Sequence, residues 1–575
     1  MRKLAENKVV GRSALSFIAA MKQWFSCGLM LPAFLRWPLP HRIAVAGVWV
    51  MFLVAFVWFV GCSFFGKVLN QDECYMYLCC RYYADQPMAM LTFYLGREWM
   101  HLFGDQVISL RLLGVVSYFL AALFPVYYFY RRTHNFIWAV FLFTVLLVVI
   151  ESGRIMFYGW DSGAYVYESA LLTVCMFYVD RPSLSKCILT AVILVFMILA
   201  RIPTAVLGIP VTLWVISCGW KRHRLPVAWL RRAGAYWLLA FVATLIIAVC
   251  VMVGTPMAYI SSWIPDNIIT GHGFRDMLYG YVDWMIYDLN FYWNTYGFWT
   301  DSFVCIAFLA FFERKSRNVL GLILLCLVCW RRTTLHQVIY IPWLCLPGGL
   351  LLYTVVHNAL VRFGRKVSDL IKLDGVKLAL IFVFALVPVV GSDRIMMRIT
   401  FFYSIPFIMV WLYQWRNGII RWFLVFMTLP ALCYGVYGRL RDLERCQRMD
   451  DVLPYHRYIL EYPEHPDYIT PLKPIVQRLE NEGKKFGSFG EFRYGPVYLF
   501  EKDKPYRLNT FHNYYPEETE AVVRDFARHL DALFIQPKDT PALTFYEIQD
   551  ILASEEYVPT AVAGSYWVFE KQTGE

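Results

Sequence analysis

The sequence predicts a polytopic α-helical membrane protein, with about thirteen transmembrane helices and interfacial helices in the first outer loop, followed by a small C-terminal α/β soluble domain. Three observations carry this. Hydrophobic residues make up 59% of the 575 residues and charged ones 17%, against roughly 45–50% and 25% in soluble domains. Mean hydropathy is +0.47, and the apolar residues gather in runs of about spanning length. The net charge of +11 conceals a division: residues 440–575 hold 16 Lys and Arg against 24 Asp and Glu, whereas residues 1–439 hold 38 against 19. A basic, apolar body thus precedes an acidic tail, which excludes an ordinary soluble enzyme.

Residues 1–42 are basic, with Arg2, Lys3, Lys8, Arg12, Lys22, Arg36 and Arg42, and lack the charged, apolar, small-residue order of a cleaved signal. They read as a cytoplasmic segment ahead of a retained anchor at 43–62. Further runs follow at 107–130, 136–150, 161–179, 184–200, 203–219 and 234–256, then at 299–313, 318–330, 337–356, 376–392, 398–414 and 418–438. Lys and Arg collect in alternate connections, at 131–132, 221–232, 313–317 and 362–366. The positive-inside rule makes those connections cytoplasmic. Residues 63–106 and 257–298 then become the two large outer loops of a catalytic domain covering 43–438, and an odd span count puts the tail, 439–575, outside. Arg439, Arg441, Arg445 and Arg448 follow the last span and pull the other way, but long domains translocate despite such charges.

In the tail, residues 516–530 predict a helix with Glu517, Glu518 and Glu520 at its start and Arg524 and Arg528 near its end, complementing the helix dipole. Residues 531–536 and 565–570 predict strands around a later helical segment. Fourteen of the 15 cysteines precede residue 440, so the tail has no disulfide framework. Cys326 and Cys329 form a CxxC inside an apolar run and read as core or lipid-facing residues. The chain has no internal repeat, P-loop, GxGxxG or nucleophile elbow.

The first outer loop is the most informative stretch. Asp72 and Glu73 lie close behind the first span, and the aromatic segment 74–84 predicts a helix lying in the membrane interface. On residue types alone an acidic pair there is either a helix cap with a favourable dipole or a pair of catalytic carboxylates. The order of pieces resembles the membrane-embedded GT-C glycosyltransferases, nearest to the protein O-mannosyltransferase and lipid A aminoarabinose transferase group. The pieces are Asp72-Glu73-Cys74-Tyr75, Pro87, Trp99 through Phe103-Gly104-Asp105, and Arg111. The likeness covers about residues 43–180 and is architectural beyond.

That resemblance implies transfer of a sugar from a polyprenyl-phosphate donor to an acceptor on the outer face: a protein, a lipid A-like glycolipid or a glycan. It implies Asp72 as general base, with inversion at the anomeric carbon. Glu73 either supports it or ligates a cation, and Asp161 is the acidic residue where the fourth span begins. Asp72, Glu73 and Asp161 are therefore the catalytic candidates, and the ligands of Mg or Mn if the reaction uses a divalent cation. On residue types Asp161 reads equally as a span cap beside Ser162.

Donor binding calls for cations. Arg154 stands seven residues before Asp161, and Glu168 lies two turns into the same span, where an ionisable group normally faces a cavity or a partner. Arg201, Arg331, Arg332, Arg394 and Arg398 fall at outer span ends, suited either to phosphate or to snorkelling toward headgroups. His272 and Arg275 sit in an aromatic stretch of the second large loop that would serve as a lid or as an ordinary interfacial loop. Glu98 and His101 share helical spacing, but a single such pair is a poor metal site.

The expected partners are the lipid-linked donor, the acceptor and membrane lipids, with no nucleic acid. The expected place is the cell membrane, the inner one in a bacterium. Two alternatives remain open from the residues: a lipid-linked sugar flippase, which should show related halves with broken helices, and a polymerase or ligase using a diphosphate-linked donor.

Overall fold

The computed structural model describes residues 38–61, 71–83, 90–151, 158–261, 374–387, 470–489, 516–536, 544–564 and 566–572, with a few residues between 405 and 461. Arg154, His272, Arg275, Arg331, Arg332, Arg394, Arg398 and the cysteine pair Cys326 and Cys329 lie outside the described residues, as do the spans predicted between 299 and 356 and at 418–438.

Helices form where the early apolar runs predict spans. They are α1 (Leu39–Gly61), α4 (Val107–Thr133), α5 (Phe136–Glu151), α6 (Trp160–Asp180), α7 (Leu184–Ala200), α8 (Ala205–Arg222) and α9 (Val227–Val253). Between α1 and α4 lie two further helices, α2 (Gln71–Arg81) and α3 (Leu91–Phe103). A short helix α10 (Pro256–Ser261) follows α9, and α11 (Gly375–Leu386) comes much later in the chain. The span predicted from 234 begins at Val227 instead, because Arg231 and Arg232 ride on the helix with their charges exposed at its end. Among the described residues four stretches, His41–Gly61, Val107–Thr133, Ile202–Arg222 and Val227–Val253, are long and apolar enough to cross a membrane. The α1 face carrying Ile43, Val50, Leu53 and Val57 is exposed, as lipid contact requires, whereas Ala55 and Phe59 are buried.

Tight connections make neighbours antiparallel. His134 takes a left-handed conformation (φ 52°) between α4 and α5, and α6 hands over to α7 at Ser183, whose hydroxyl caps the new helix through Lys186 N. Interhelical packing uses small residues and hydroxyls, as lipid-solvated bundles do: Ser169 Oγ donates to the Ala121 carbonyl at 2.5 Å, tying α6 to α4.

At the basic end of the bundle, α11 is fastened to the early spans. Lys377 Nζ reaches Asp180 Oδ1 at 2.5 Å and donates to Tyr128 Oη at 2.9 Å. Tyr128 in turn donates to Asp180 Oδ2, and Arg222 pairs with Asp374 just ahead of α11.

In the tail, α12 (Lys473–Asn481), α13 (Pro516–His529) and α14 (Phe545–Ser554) accompany a four-stranded sheet of β1 (Phe486–Phe489), β2 (Ala532–Ile535), β3 (Tyr557–Ala563) and β4 (Tyr566–Lys571). The strand order is β1-β2-β4-β3, with β1 and β2 parallel and the other pairs antiparallel. The predicted helix at 516–530 and both predicted strands are present. Period-two alternation divides the sheet between two cores. Leu533, Ile535 and Phe569 pack with Val523, Phe526, Ile548 and Ile551 of α13 and α14. Ala532, Phe534 and Val568 face the other way, with Val476 and Leu479 of α12.

Candidate active site

The site is built around α2. Its predicted start at 74 moves back to Gln71, which brings Asp72 and Glu73 into the first helical turn. Glu73 is 3% exposed and Arg111, in the first turns of α4, is fully buried. Arg111 Nε donates to Glu73 Oε1 at 2.5 Å and Nη2 to Oε2 at 2.7 Å, a fork-to-fork pair. Charges taken this far from water persist only when paired and hydrogen-bonded, and removing one partner costs about 3–5 kcal/mol.

The other end of α2 is held as well. Tyr77 donates to Asp105 Oδ1 at 2.9 Å, and Arg81 Nε lies 3.2 Å from Asp105 Oδ2. Asp105 reaches this position because α3 ends at Gly104, whose φ of +103° suits glycine. Trp99 Nε1 donates to the Ser109 carbonyl at 2.8 Å and packs on Phe103, closing the turn into α4. The residues of the Phe-Gly-Asp phrase and Arg111 thus act together: they fix the acidic helix at both ends. Cys80, on the same helix, is buried, and burial pushes its thiol up, so it is a protonated packing group and not a nucleophile.

The helix α3 connects this assembly to three spans. Thr92 donates to the Ala200 carbonyl at 3.1 Å, at the end of α7. It also lies against α6, where a methyl on Gly163 would stand 2.7 Å from Thr92 Oγ1. Asp161 is the second residue of α6, two before that contact; Gly159 is the N-cap and is closed by Ser162, whose Oγ accepts from Gly159 N at 2.9 Å. Arg201, next to Ala200, is buried where α7 ends. Glu168 is buried two turns further into α6. The side chains of Asp72 and Asp161 lie outside the described ones.

A cation that residue order did not single out is Arg97, on α3. Its guanidinium lies 4.9 Å from the Tyr83 ring centroid and 5.1 Å from that of Tyr94, and donates to Glu98. Tyr83 is buried, yet its hydroxyl has no hydrogen-bond partner among the described residues. Burial pushes that hydroxyl up, against the opposing pull of Arg97, so it stays a protonated donor. The signal in the sequence was the three-residue spacing of Tyr94 and Arg97 on one helix face.

Of the three carboxylates, the described one, Glu73, has both oxygens occupied by a guanidinium. Glu98 is likewise engaged by Arg97, with His101 Nδ1 3.9 Å from its other oxygen. Among the described residues no group of three His, Cys, Asp or Glu converges as a metal site.

No family model matches the chain, and no curated protein matches it by sequence. Two solved structures do.

One is ArnT from Cupriavidus metallidurans bound to undecaprenyl phosphate, at 12% identity and TM-score 0.39, covering 92% of this chain and 98% of that one. The other is the oligosaccharyltransferase of Archaeoglobus fulgidus in complex with zinc and sulfate, at 11% identity and TM-score 0.39, covering 90% of this chain and 72% of that one.

Proposed function

We propose that the protein is an integral-membrane glycosyltransferase that moves a sugar from a polyprenyl-phosphate donor to a hydroxyl acceptor, with Asp72 as general base. The observation that supports this is the fixing of α2 at both ends, by Glu73–Arg111 and by Asp105 with Tyr77 and Arg81. A short interfacial helix gains nothing in solubility from a fully buried ion pair. It does gain a fixed orientation for its first turn, and catalytic groups need positions held to within fractions of an ångström.

In the proposed step the acceptor oxygen attacks the anomeric carbon while Asp72 takes the hydroxyl proton. The new C–O bond forms as the bond from that carbon to the phosphate oxygen breaks. Polyprenyl phosphate leaves, and a single displacement inverts the centre. General-base assistance of this kind is worth roughly 10²–10⁴-fold. Arg97 and Arg201 are the cations at this end of the bundle suited to the leaving phosphate, and the unsatisfied Tyr83 hydroxyl offers a donor to the bound lipid-linked sugar. Glu73 serves as the support of Asp72. If a divalent cation takes part, Asp72 and Asp161 remain as its carboxylates. The alternation of basic connections orients this end to the outer face, with the tail on the same side.

Asp72→Asn should keep expression and polyprenyl-phosphate binding while polyprenyl-linked sugar accumulates in cells that depend on the variant. Continued consumption of the lipid-linked sugar would remove Asp72 from the mechanism. Mass spectrometry of that lipid pool identifies the sugar in the same experiment.

A further inference from the structure

The tail has one sheet face covered by its own helices α13 and α14. Its other face does not end within the tail. Phe486, Ala532, Phe534, Tyr566 and Val568, with Val476 and Leu479 of α12, belong to one hydrophobic cluster with Met76, Tyr77, Leu78, Cys79 and Cys80 of α2 and with Tyr158 ahead of α6. Tyr77 is also the residue that donates to Asp105. The same helix that carries Asp72 therefore shares one continuous apolar cluster with the tail.

The piece of the tail in that cluster is clamped by one carboxylate. Glu570 of β4 accepts from Arg478 of α12 at 2.5 Å, from Lys484 at 3.0 Å and from Thr560 of β3 at 2.8 Å. Without this clamp α12 would rest on the shared cluster through its apolar residues Ile475, Val476 and Leu479, and that seat would loosen.

We infer that the tail is a positioning element of the active site: the Glu570 clamp seats α12 in the cluster shared with α2 and so helps to fix the acidic helix. Glu570 is a positioning residue that acts through α12. The consequence for turnover rests on the assignment of Asp72, but the mechanical coupling does not.

The test is hydrogen exchange by mass spectrometry on the full-length protein in lipid nanodiscs, comparing wild type with Glu570→Gln and Val476→Asp. Amides of 473–481 and of 71–81 should both exchange at least threefold faster, while those of 205–222 stay unchanged. Val476→Asp places a carboxylate in the cluster, so it loosens α12 whether or not loss of the clamp suffices. If 71–81 keeps wild-type exchange in Val476→Asp, the coupling is refuted. In cells, both variants should accumulate polyprenyl-linked sugar, and Glu570→Asp should restore much of the loss. Asp72→Asn separates the two ideas: it should stop turnover with exchange in 71–81 unchanged. Faster exchange in Val476→Asp alongside full turnover in Asp72→Asn would uphold the coupling and overturn the base assignment.

Discussion

The two ends of the helical bundle each hold an acid–base pair, fully buried at one end and partly buried at the other, and they join different things. At the end bearing the acidic helix, Glu73 and Arg111 are 38 residues apart and connect a short interfacial helix to the span that follows it. At the basic end, Asp180 and Lys377 are 197 residues apart and connect α6 to α11, with Tyr128 of α4 completing the triangle. The first pair orients one helical turn; the second sets how a late span sits against early ones. Asp180 closes the C-terminal turn of α6, where the helix dipole disfavours a carboxylate. Lys377, Tyr128 and Arg132 offset that cost. Buried pairs contribute little net stability, and their best-attested use is to specify register. On the proposed function, the pair at the acidic helix applies that specificity to chemistry and the pair at the basic end to architecture.

If this contrast is right, breaking the pair at the acidic helix should have the largest effect. Arg111→Met strands the Glu73 carboxylate in the core and should cost about 3–5 kcal/mol of stability, while turnover per folded molecule falls on the order of 10²-fold through misplacement of α2. Arg111→Lys should recover little, because an ammonium cannot make the forked contact. Wild-type turnover in Arg111→Met would end the proposed role of the brace.

Asp180→Asn is the matching cut at the other end. Lys377 keeps the Tyr128 hydroxyl, and Asp180 is more exposed than Glu73, so a loss of about 2–3 kcal/mol in thermal or denaturant unfolding is expected. Turnover per folded molecule should stay within about twofold. A loss of turnover as deep as that of Arg111→Met would erase the distinction between the ends.

Gly163→Ala sharpens it further, since the added methyl meets Thr92 Oγ1 at 2.7 Å. Such overpacking costs about 1–3 kcal/mol. The displacement falls between α3 and the start of α6, so turnover should drop several-fold while the basic end of the bundle is unaffected. Unaltered turnover would show that α3 can shift without consequence for the site.

The smallest effect on stability belongs to the tail clamp, whose cations Arg478 and Lys484 border water. Hydrogen bonds from Arg478 first, and from Lys484 and Thr560, hold the Glu570 carboxyl down at about 2. A depressed carboxyl adds stability that is complete above its unfolded value near 4.5 and lost as pH falls through the folded value near 2. Pepsin cleavage within 470–489 should therefore accelerate in the wild type as pH falls from about 4.5 to about 2, and should already be fast and nearly flat in Glu570→Gln. Equal cleavage of the two proteins at pH 4.5 would show that the clamp adds nothing.

The early helices could be read from the sequence because each is a continuous apolar run with a basic connection at one end, and hydropathy alone marks such a run. The tail helix 516–529 and strands 532–535 and 566–571 were legible for a similar reason: their signals are local periodicity and end charges. The start of α9 was misplaced because Arg231 and Arg232 look like a loop, although a helix end at the membrane surface tolerates them. Of the site, the sequence supplied the names Asp72, Glu73, Asp161 and Arg111 and their order along the chain. It could not pair Glu73 with Arg111, place Arg97 between Tyr83 and Tyr94, or join the tail's sheet to the acidic helix. Those relations depend on which faces meet when helices pack, and packing brings together residues whose separation along the chain carries no local signal.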